Sequence, residues 1–388
     1  MILYTSGTTG QAKGVILSHR AIIANLHNLL DRSRRRPSDR DPDAPQQVNL
    51  LTVPLFHMSG MQAMTLAAVT GDRLVFPPPG PIDVTTILRL IERERVSAFA
   101  AVPTVLARIV QHPGLSAYDT SSVQSVTMGG MYVHPSLVDQ VRIAFPAAAR
   151  RVGALYGMTE SGGVLTSIGG SQLVEQPTSS GVPLPVVELR IANPAPDGSG
   201  EILARSPTTM SGYWGRPDDP VLDRDGWLHT GDLGRIVGGH LHVVGRSKEI
   251  IIRGGENVSA TRVETCLLTH PEVLEAAVLP LEHPELGEEV AAVVVVTTPD
   301  AVSVEELSDY VSASLARFEV PSAWWVRHDP LPLNASGKVD KPLLRGTWRA
   351  RLGAAHTLPT SAEVHVPQWP AGTGSLGGAH LDASDNTK

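Results

Sequence analysis

Between Val48 and about Leu203 the chain repeats one pattern: short apolar runs at Leu50–Leu55, Leu74–Phe76, Ala98–Val102 and Val123–Met128, separated by stretches of helical periodicity. A strand that is apolar on both faces must be covered on both, and helices returning between successive parallel strands supply that cover. The pattern predicts an α/β fold with a buried sheet. From Gly200 to Val244 the spacing shifts to short strands and tight turns. Arg235 to Val237, then Gly238-Gly239, then His240 to Val244 predicts a hairpin closed by a two-residue glycine turn. Residues 249 to about 349 read as a second, smaller α+β unit. Its helix from Ala260 to Thr269 puts Val263, Cys266 and Leu267 on one face, and another opens with the capping box Ser303 and Glu306 before Leu307, Val311 and Leu315. The expected organisation is a large domain over residues 1–245, a hinge at 246–250, a small domain over 251–350, and a disordered Gly/Pro/Ser/Thr-rich tail over 351–388.

Composition narrows the class. A chain of 388 residues with 42% hydrophobic and 18% charged residues is neither disordered nor fibrous. Val290–Val296 is too short to cross a bilayer, and Pro103 interrupts Ala98–Val110, so no transmembrane segment is expected. The balance of 32 basic against 39 acidic residues, a net charge of −7, argues against nucleic acid or anionic lipid as a partner. Cys266, a single cysteine, allows no internal disulfide and predicts a cytoplasmic protein with a core thiol. The charged segment Arg32–Pro45 pairs Arg32, Arg34, Arg35 and Arg36 with Asp31, Asp39, Asp41 and Asp43 and reads as a solvated loop.

Only five of the 32 basic residues are lysines: Lys13, Lys248, Lys338, Lys341 and Lys388. Where arginine serves for generic charge, a retained lysine marks a need for a compact point charge, and Lys13, Lys248 and Lys338 all lie beside glycine-rich backbone. Strands at Ile2–Tyr4 and Val15–Leu17 bracket the run Tyr4 to Gly14, which offers glycines, hydroxyls and one ammonium. Those are the parts of a polyphosphate cradle. The run is not a Walker A loop, because a strand rather than a helix follows its lysine. An amphipathic helix follows, carrying Ile22, Ile23, Leu26, Leu29 and Leu30. Tyr156-Gly-Met-Thr-Glu160, after a short strand at Val152–Leu155, adds an aromatic face, hydroxyls and a carboxylate. His240 and His242 share a strand face with no third metal ligand nearby.

Eight motifs occur in order: Tyr4–Gly14, Pro54–Gly60, Tyr156–Glu160, Gly200-Glu201, Trp227–Asp232, Gly245–Ile250, Gly254–Asn257 and Pro332–Lys338. With them the chain resembles the adenylate-forming superfamily of acyl-CoA synthetases, peptide-synthetase adenylation domains and luciferases, over residues 1 to about 350. The resemblance implies that a carboxylate attacks the α-phosphate of Mg-ATP to give an acyl adenylate and pyrophosphate, after which coenzyme A displaces AMP. It assigns the β- and γ-phosphates to Thr5, Ser6, Gly7, Thr8, Thr9 and Gly10 with Lys13, and Mg2+ to Thr5 and Glu160. Thr159 is assigned to the α-phosphate, Tyr156 to adenine, and Asp232 and Arg246 to the ribose.

Lys338 is assigned the first step: a cation between the α-phosphoryl and attacking carboxylate oxygens stabilises charge that builds in the transition state. Lys248 matches the hinge about which the small domain rotates, and Gly254 and Gly255 the channel for the pantetheine arm of coenzyme A. His57 corresponds to a position between acyl pocket and thiol channel. The pocket walls expected near His57, Thr127–Met131 and Gly153–Leu155 suit an apolar acid, a fatty acid among them. Family members carry a substantial region ahead of the phosphate loop, so the resemblance also implies a large domain lacking its start. Two alternatives accompany the ligase reading: a non-catalytic remnant of such an enzyme, and a ligase that delivers its acyl adenylate to a carrier protein.

Overall fold

The computed structural model describes residues 1–353, 364 and 365, apart from 6–11, 40, 42, 81, 299 and 300. The chain opens with an antiparallel pair, β1 (Ile2–Thr5) and β2 (Lys13–Ile16), in which Thr5 faces Lys13 across the ladder. Helix α1 (His19–Arg32) follows, capped by Ser18, whose hydroxyl accepts from the Ala21 amide at 3.0 Å. That bond satisfies one of the free donors of the first turn.

The sheet expected from the apolar runs then forms from β3 (Val48–Leu51), α2 (Met58–Thr70), β4 (Arg73–Val75), α3 (Val84–Arg93), β5 (Ala98–Ala101), α4 (Pro103–Val110), β6 (Ser125–Gly129), α5 (Pro135–Ala144), β7 (Val152–Met158), β8 (Gly163–Gly169), α6 (Ser171–Glu175) and β9 (Val182–Pro183). Strand order is β4-β3-β5-β6-β7-β8-β9, parallel from β4 to β7 and antiparallel beyond. Pro103 begins α4, where its missing N–H costs nothing. Strand β3 stops at Leu51 although the apolar run continues to Leu55, because Pro54 cannot donate to a ladder and its carbonyl instead accepts from the His57 amide at 3.1 Å. The segment after α1 also departs from a freely solvated loop. Arg32 donates to Ser167 Oγ at 2.6 Å and Arg35 pairs with Asp72, so two of its four arginines are tied to the sheet and α2–β4 turn.

An antiparallel sheet, β10 (Glu188–Ala192), β11 (Gly200–Arg205), β12 (Leu228–Val237) and β13 (His240–Arg246), completes the large domain. The β12–β13 turn is the Gly238-Gly239 pair, both with positive φ. A single 3-10 turn, Ser247–Glu249, leads into the small domain. There β14 (Ile250–Arg253), β15 (Glu256–Ser259), α7 (Ala260–Leu267), β16 (Val273–His283), β17 (Gly287–Val296), α8 (Val304–Ser312), β18 (Ala323–Arg327), α9 (Lys341–Gly353) and β19 (Val364–His365) surround the apolar strand β17. Period-2 alternation divides β17 between two cores. Val290, Ala292, Val294 and Val296 pack towards α7 and α8, while Ala291, Val293 and Val295 pack towards Leu344 and Trp348 of α9. Each fully buried valine contributes roughly 1.5 kcal/mol or more. Cys266 is half-buried beside the first of these cores, and burial pushes its thiol up. The tail beyond residue 353 lies outside the described residues except for β19.

Candidate active site

The carboxyl ends of β5, β6 and β7 open, with the β1–β2 hairpin and the β12–β13 sheet, onto a cleft of 2880 Å3 that the small domain covers. Parallel sheets present ligands at that edge. One wall is built by register. Asp232 on β12 stands opposite Arg246 on β13, and the guanidinium Nε donates to its carboxylate at 2.9 Å. Tyr156 donates its hydroxyl to the other oxygen of Asp232 at 2.8 Å. The carboxylate is only 4% exposed, and burial together with its charge holds the Tyr156 phenol well above the ordinary range. Strand β7 runs on through Tyr156 to Met158, further than the expected strand, and this extension presents the ring at the cleft. Gly157 is required there, because a Cβ would stand 2.0 Å from the Gly163 carbonyl oxygen.

Lys338 reaches this wall from the small domain. Its Cε and Nζ lie 3.4 and 3.7 Å from where a side chain on Gly130 would begin, and Gly130 has φ +81°. Burial first, and the Arg246 charge second, push the Lys338 ammonium down to about 8, against the pull of Asp232, Glu249 and Glu160. His57, the residue before α2, lies with its ring tilted 46° to that of Phe56, the centroids 4.7 Å apart. Burial and the Lys338 charge hold its imidazole below the ordinary value, so it is neutral near pH 7.

Glu160 follows β7 and is 8% exposed; Tyr213 donates to it at 2.8 Å. Thr159, Thr5 and Lys13 line the same cleft. Lys13 is not a free charge: it pairs with Asp219 at 2.8 Å and sits 4.4 Å over the Tyr213 ring. Ser6, Gly7, Thr8, Thr9 and Gly10 lie outside the described residues. Gly254 and Gly255 form the β14–β15 turn on the small domain, with φ +58° and +90°, and do not line the cleft in this arrangement. Lys248 occupies the 3-10 turn between β13 and β14. His240 and His242 hydrogen-bond Ser179 and Thr178, at 3.0 and 3.3 Å.

Several residues at the cleft have no role assigned from the sequence, although His229 and Glu201 lie within two of the eight motifs. Tyr213 and Asp219 position Glu160 and Lys13 from the loop after β11. His229 and Glu201 pair at 3.0 Å, and the Glu201 carboxylate also accepts from the Gly231 amide at 3.1 Å beside Asp232. Lys341 bridges Glu249 and Glu264 at 3.1 and 2.8 Å, and these carboxylates override burial to raise its ammonium. Lys341 is one of the five lysines, but without glycine-rich backbone beside it the sequence assigns it no role.

Comparison with known proteins places these features among relatives. A model described as AMP-binding enzyme matches residues 1–214, and one described as AMP-binding enzyme C-terminal domain matches residues 262–338. The chain is 32% identical to a feruloyl-CoA synthase of Amycolatopsis sp. over 363 residues, covering 91% of this chain and 70% of that protein. It is 34% identical to an indoleacetate–CoA ligase of Aromatoleum aromaticum over 355 residues, covering 89% and 66%. Among solved structures, the o-succinylbenzoate CoA synthetase of Bacillus subtilis with its acyl-adenylate intermediate superposes with a TM-score of 0.73 at 30% identity, covering 89% of this chain and 68% of that one. The ATP-bound RpMatB-BxBclM chimera B3 gives a TM-score of 0.77 at 30% identity, covering 90% and 68%. No helix among the described residues is long and apolar enough to cross a membrane.

Proposed function

Because the chain belongs to the AMP-binding enzyme family, we propose that it activates an aromatic or arylalkanoic acid as its adenylate and transfers the acyl group to coenzyme A. It is an AMP-forming acid–CoA ligase that uses ATP, Mg2+ and coenzyme A. The expectation of a fatty acid gives way to a ring-bearing one, since the relatives are named for feruloyl, indoleacetate and 4-coumarate groups. The cleft lining around His57, Gly129, Met131, Gly153 and Leu155 is consistent with that choice, since it holds apolar side chains and, among the described residues, no carboxylate to pair with the ammonium of an amino acid.

The observation that carries the reading is the meeting of Lys338 with the Asp232–Arg246–Tyr156 cluster across the cleft. In the first step Lys338 stabilises charge growing on the α-phosphoryl and attacking carboxylate oxygens. Asp232 accepts from the ribose hydroxyls; a carboxylate has about four lone-pair sites, so the bonds from Tyr156 and Arg246 leave capacity. Those two bonds also fix the Tyr156 ring, on which adenine stacks. Thr159 donates to the α-phosphate, and Lys13, held by Asp219, adds charge near the outer phosphates.

Thr5 and Glu160 are the hydroxyl and carboxylate that would hold Mg2+, and hard oxygen donors lining a phosphate cleft fit that ion. When bound, the ion neutralises charge on the polyphosphate. His57, neutral beside Lys338, separates the acid from the side at which the thiol enters, and Lys248 is the hinge between large and small domains. The test is acid-dependent ATP–pyrophosphate exchange on the full chain. Ferulate, 4-coumarate and indoleacetate should support exchange far better than a straight-chain acid of equal carbon number; a preference for the straight chain would overturn the substrate class.

A further inference from the structure

We propose that Thr104 and Arg108, on one face of α4, form with Glu275 the dock that seats the Lys338 loop in the cleft, which makes them positioning residues for the first half-reaction. The inference rests on the ligase reading for its kinetic consequence, though not for its geometry.

The loop is rigid within itself. Asn334 accepts through its side chain from the amides of Ser336 and Lys338, at 2.9 and 3.2 Å, and its own amide donates to the Lys338 carbonyl at 2.8 Å. What must be fixed is therefore the placement of the whole loop against the other domain, and α4 grips both of its ends. At the near end, Thr104 donates its hydroxyl to the carbonyl of Gly337, the residue before Lys338. At the far end, Arg108 donates to the Leu331 carbonyl at 2.7 Å. Positions i and i+4 lie one turn apart on the same helix face, so the helix acts as a spacer of about 6 Å.

Glu275, on β16, locks the far end from the small-domain side. It takes two bonds from Arg108, at 2.8 and 3.2 Å, and accepts from the Leu331 amide at 2.8 Å. This forked pair is the strong, directional form of an ion pair, and its side chains are only 23% and 11% exposed. At the near grip Gly337, with φ +79°, lies so close to the start of α4 that a Cβ would stand 3.0 Å from Val102 and 3.2 Å from Val105. These contacts with α4 and Glu275 set where the loop, and with it Lys338, stands in the cleft.

The experiment uses the full chain with Arg108→Ala, Glu275→Gln and Thr104→Val, the last being uncharged and of similar shape in case the first does not fold. Modification of Lys338 by acetic anhydride, followed by mass spectrometry, reads its seating without any need for activity. The expected result is faster labelling in all three variants than in the wild type. In acid-dependent ATP–pyrophosphate exchange, Arg108→Ala should lower kcat about 10²-fold, the cost of a small misplacement of a catalytic group. KM for ATP should stay unchanged, thioester formation from supplied acyl adenylate should persist, and Arg108→Lys should recover much of the loss. Unchanged Lys338 labelling, or equal loss in both half-reactions, would overturn the dock. A wild-type chain without exchange would instead remove the ligase reading, while the labelling result would still decide the dock.

Discussion

Asp232 and Lys338 face one another across the cleft, and the protein holds them in opposite ways. Asp232 is fixed by its own neighbourhood: β12 and β13 pair it with Arg246, the extended β7 brings Tyr156 to it, and all three belong to the large domain. Lys338 is fixed at a distance. Its loop belongs to the small domain and is held against α4 by Thr104 and Arg108. A group anchored in a sheet is present whatever the domains do, whereas a docked group is present only while the domains meet. Binding of the nucleotide should therefore depend on the first, and the timing of chemistry on the second.

The largest expected effect breaks the docked side. Lys338→Ala should lower acid-dependent ATP–pyrophosphate exchange by about 10² to 10³-fold, the usual consequence of losing one preorganised charge at a reacting centre. Thioester formation from supplied acyl adenylate should survive, and loss of both steps together would refute the role. The urea midpoint should hardly move, because no structural partner is left stranded.

Asp232→Asn tests the anchored side and should behave in reverse. It removes the charge from a buried carboxylate on which Tyr156 and Arg246 both depend. Breaking such a pair costs about 3 kcal/mol or more when fully buried; the half-exposed guanidinium, 46% accessible, reduces this to about 2 kcal/mol. Urea unfolding should show that loss, and KM for ATP should rise. A variant with wild-type stability would mean the triad is not the anchor described.

Gly337→Ala falls between the two. Its positive φ and the approach of Val102 strain a methyl group there by roughly 1 kcal/mol or more. The loop should lift from α4, and exchange should fall about tenfold, the equivalent of 1.4 kcal/mol in the barrier. An unchanged rate would show that the loop tolerates displacement and would weaken the contrast with Asp232.

How far each side was legible in the sequence follows the same division. Tyr156, Glu160, Asp232 and Arg246 sit in short motifs on or beside strands, where local pairing creates the site, and the Gly238-Gly239 turn announces the β12–β13 register. The glycine-rich surroundings of Lys338 marked it as well. The dock was silent, because Thr104 and Arg108 read as ordinary helix residues and Glu275 as one acid in an apolar strand; 167 positions separate Arg108 from Glu275. No local pattern encodes a contact between domains. The lysine count and the glycine-rich run drew attention to Lys13, but its bond to Asp219, 206 positions away, was silent for the same reason. The apolar run Leu50–Leu55 outlasts strand β3, which ends at Leu51, because hydrophobicity carries no mark of where Pro54 ends the ladder.

The smallest effect, in pH, sharpens the comparison most. Lys338 titrates at about 8 in the folded chain, well below the ordinary lysine value, chiefly through burial and the Arg246 charge. Its charged form is the useful one, so kcat/KM for the first step should fall as pH rises through about 8, by about fourfold between pH 7 and 8.5. Stability moves the other way. Between about 8 and the unfolded value the unfolded chain binds the extra proton, so unfolding free energy should rise with pH across that window. Activity falling while stability rises separates Lys338 from general alkaline unfolding, and Lys338→Arg, charged throughout, should abolish the limb at a lower rate. Arg246 lowers the ammonium from one side, His57 lies close by, and Asp232, Glu249 and Glu160 hold it up. Asp232→Asn, which removes one of those anions, should therefore shift the limb below 8. Gly337→Ala, which lets the lysine out towards water, should shift it above. Movement of both variants in the same direction would mean that the anchored and docked groups are not independent.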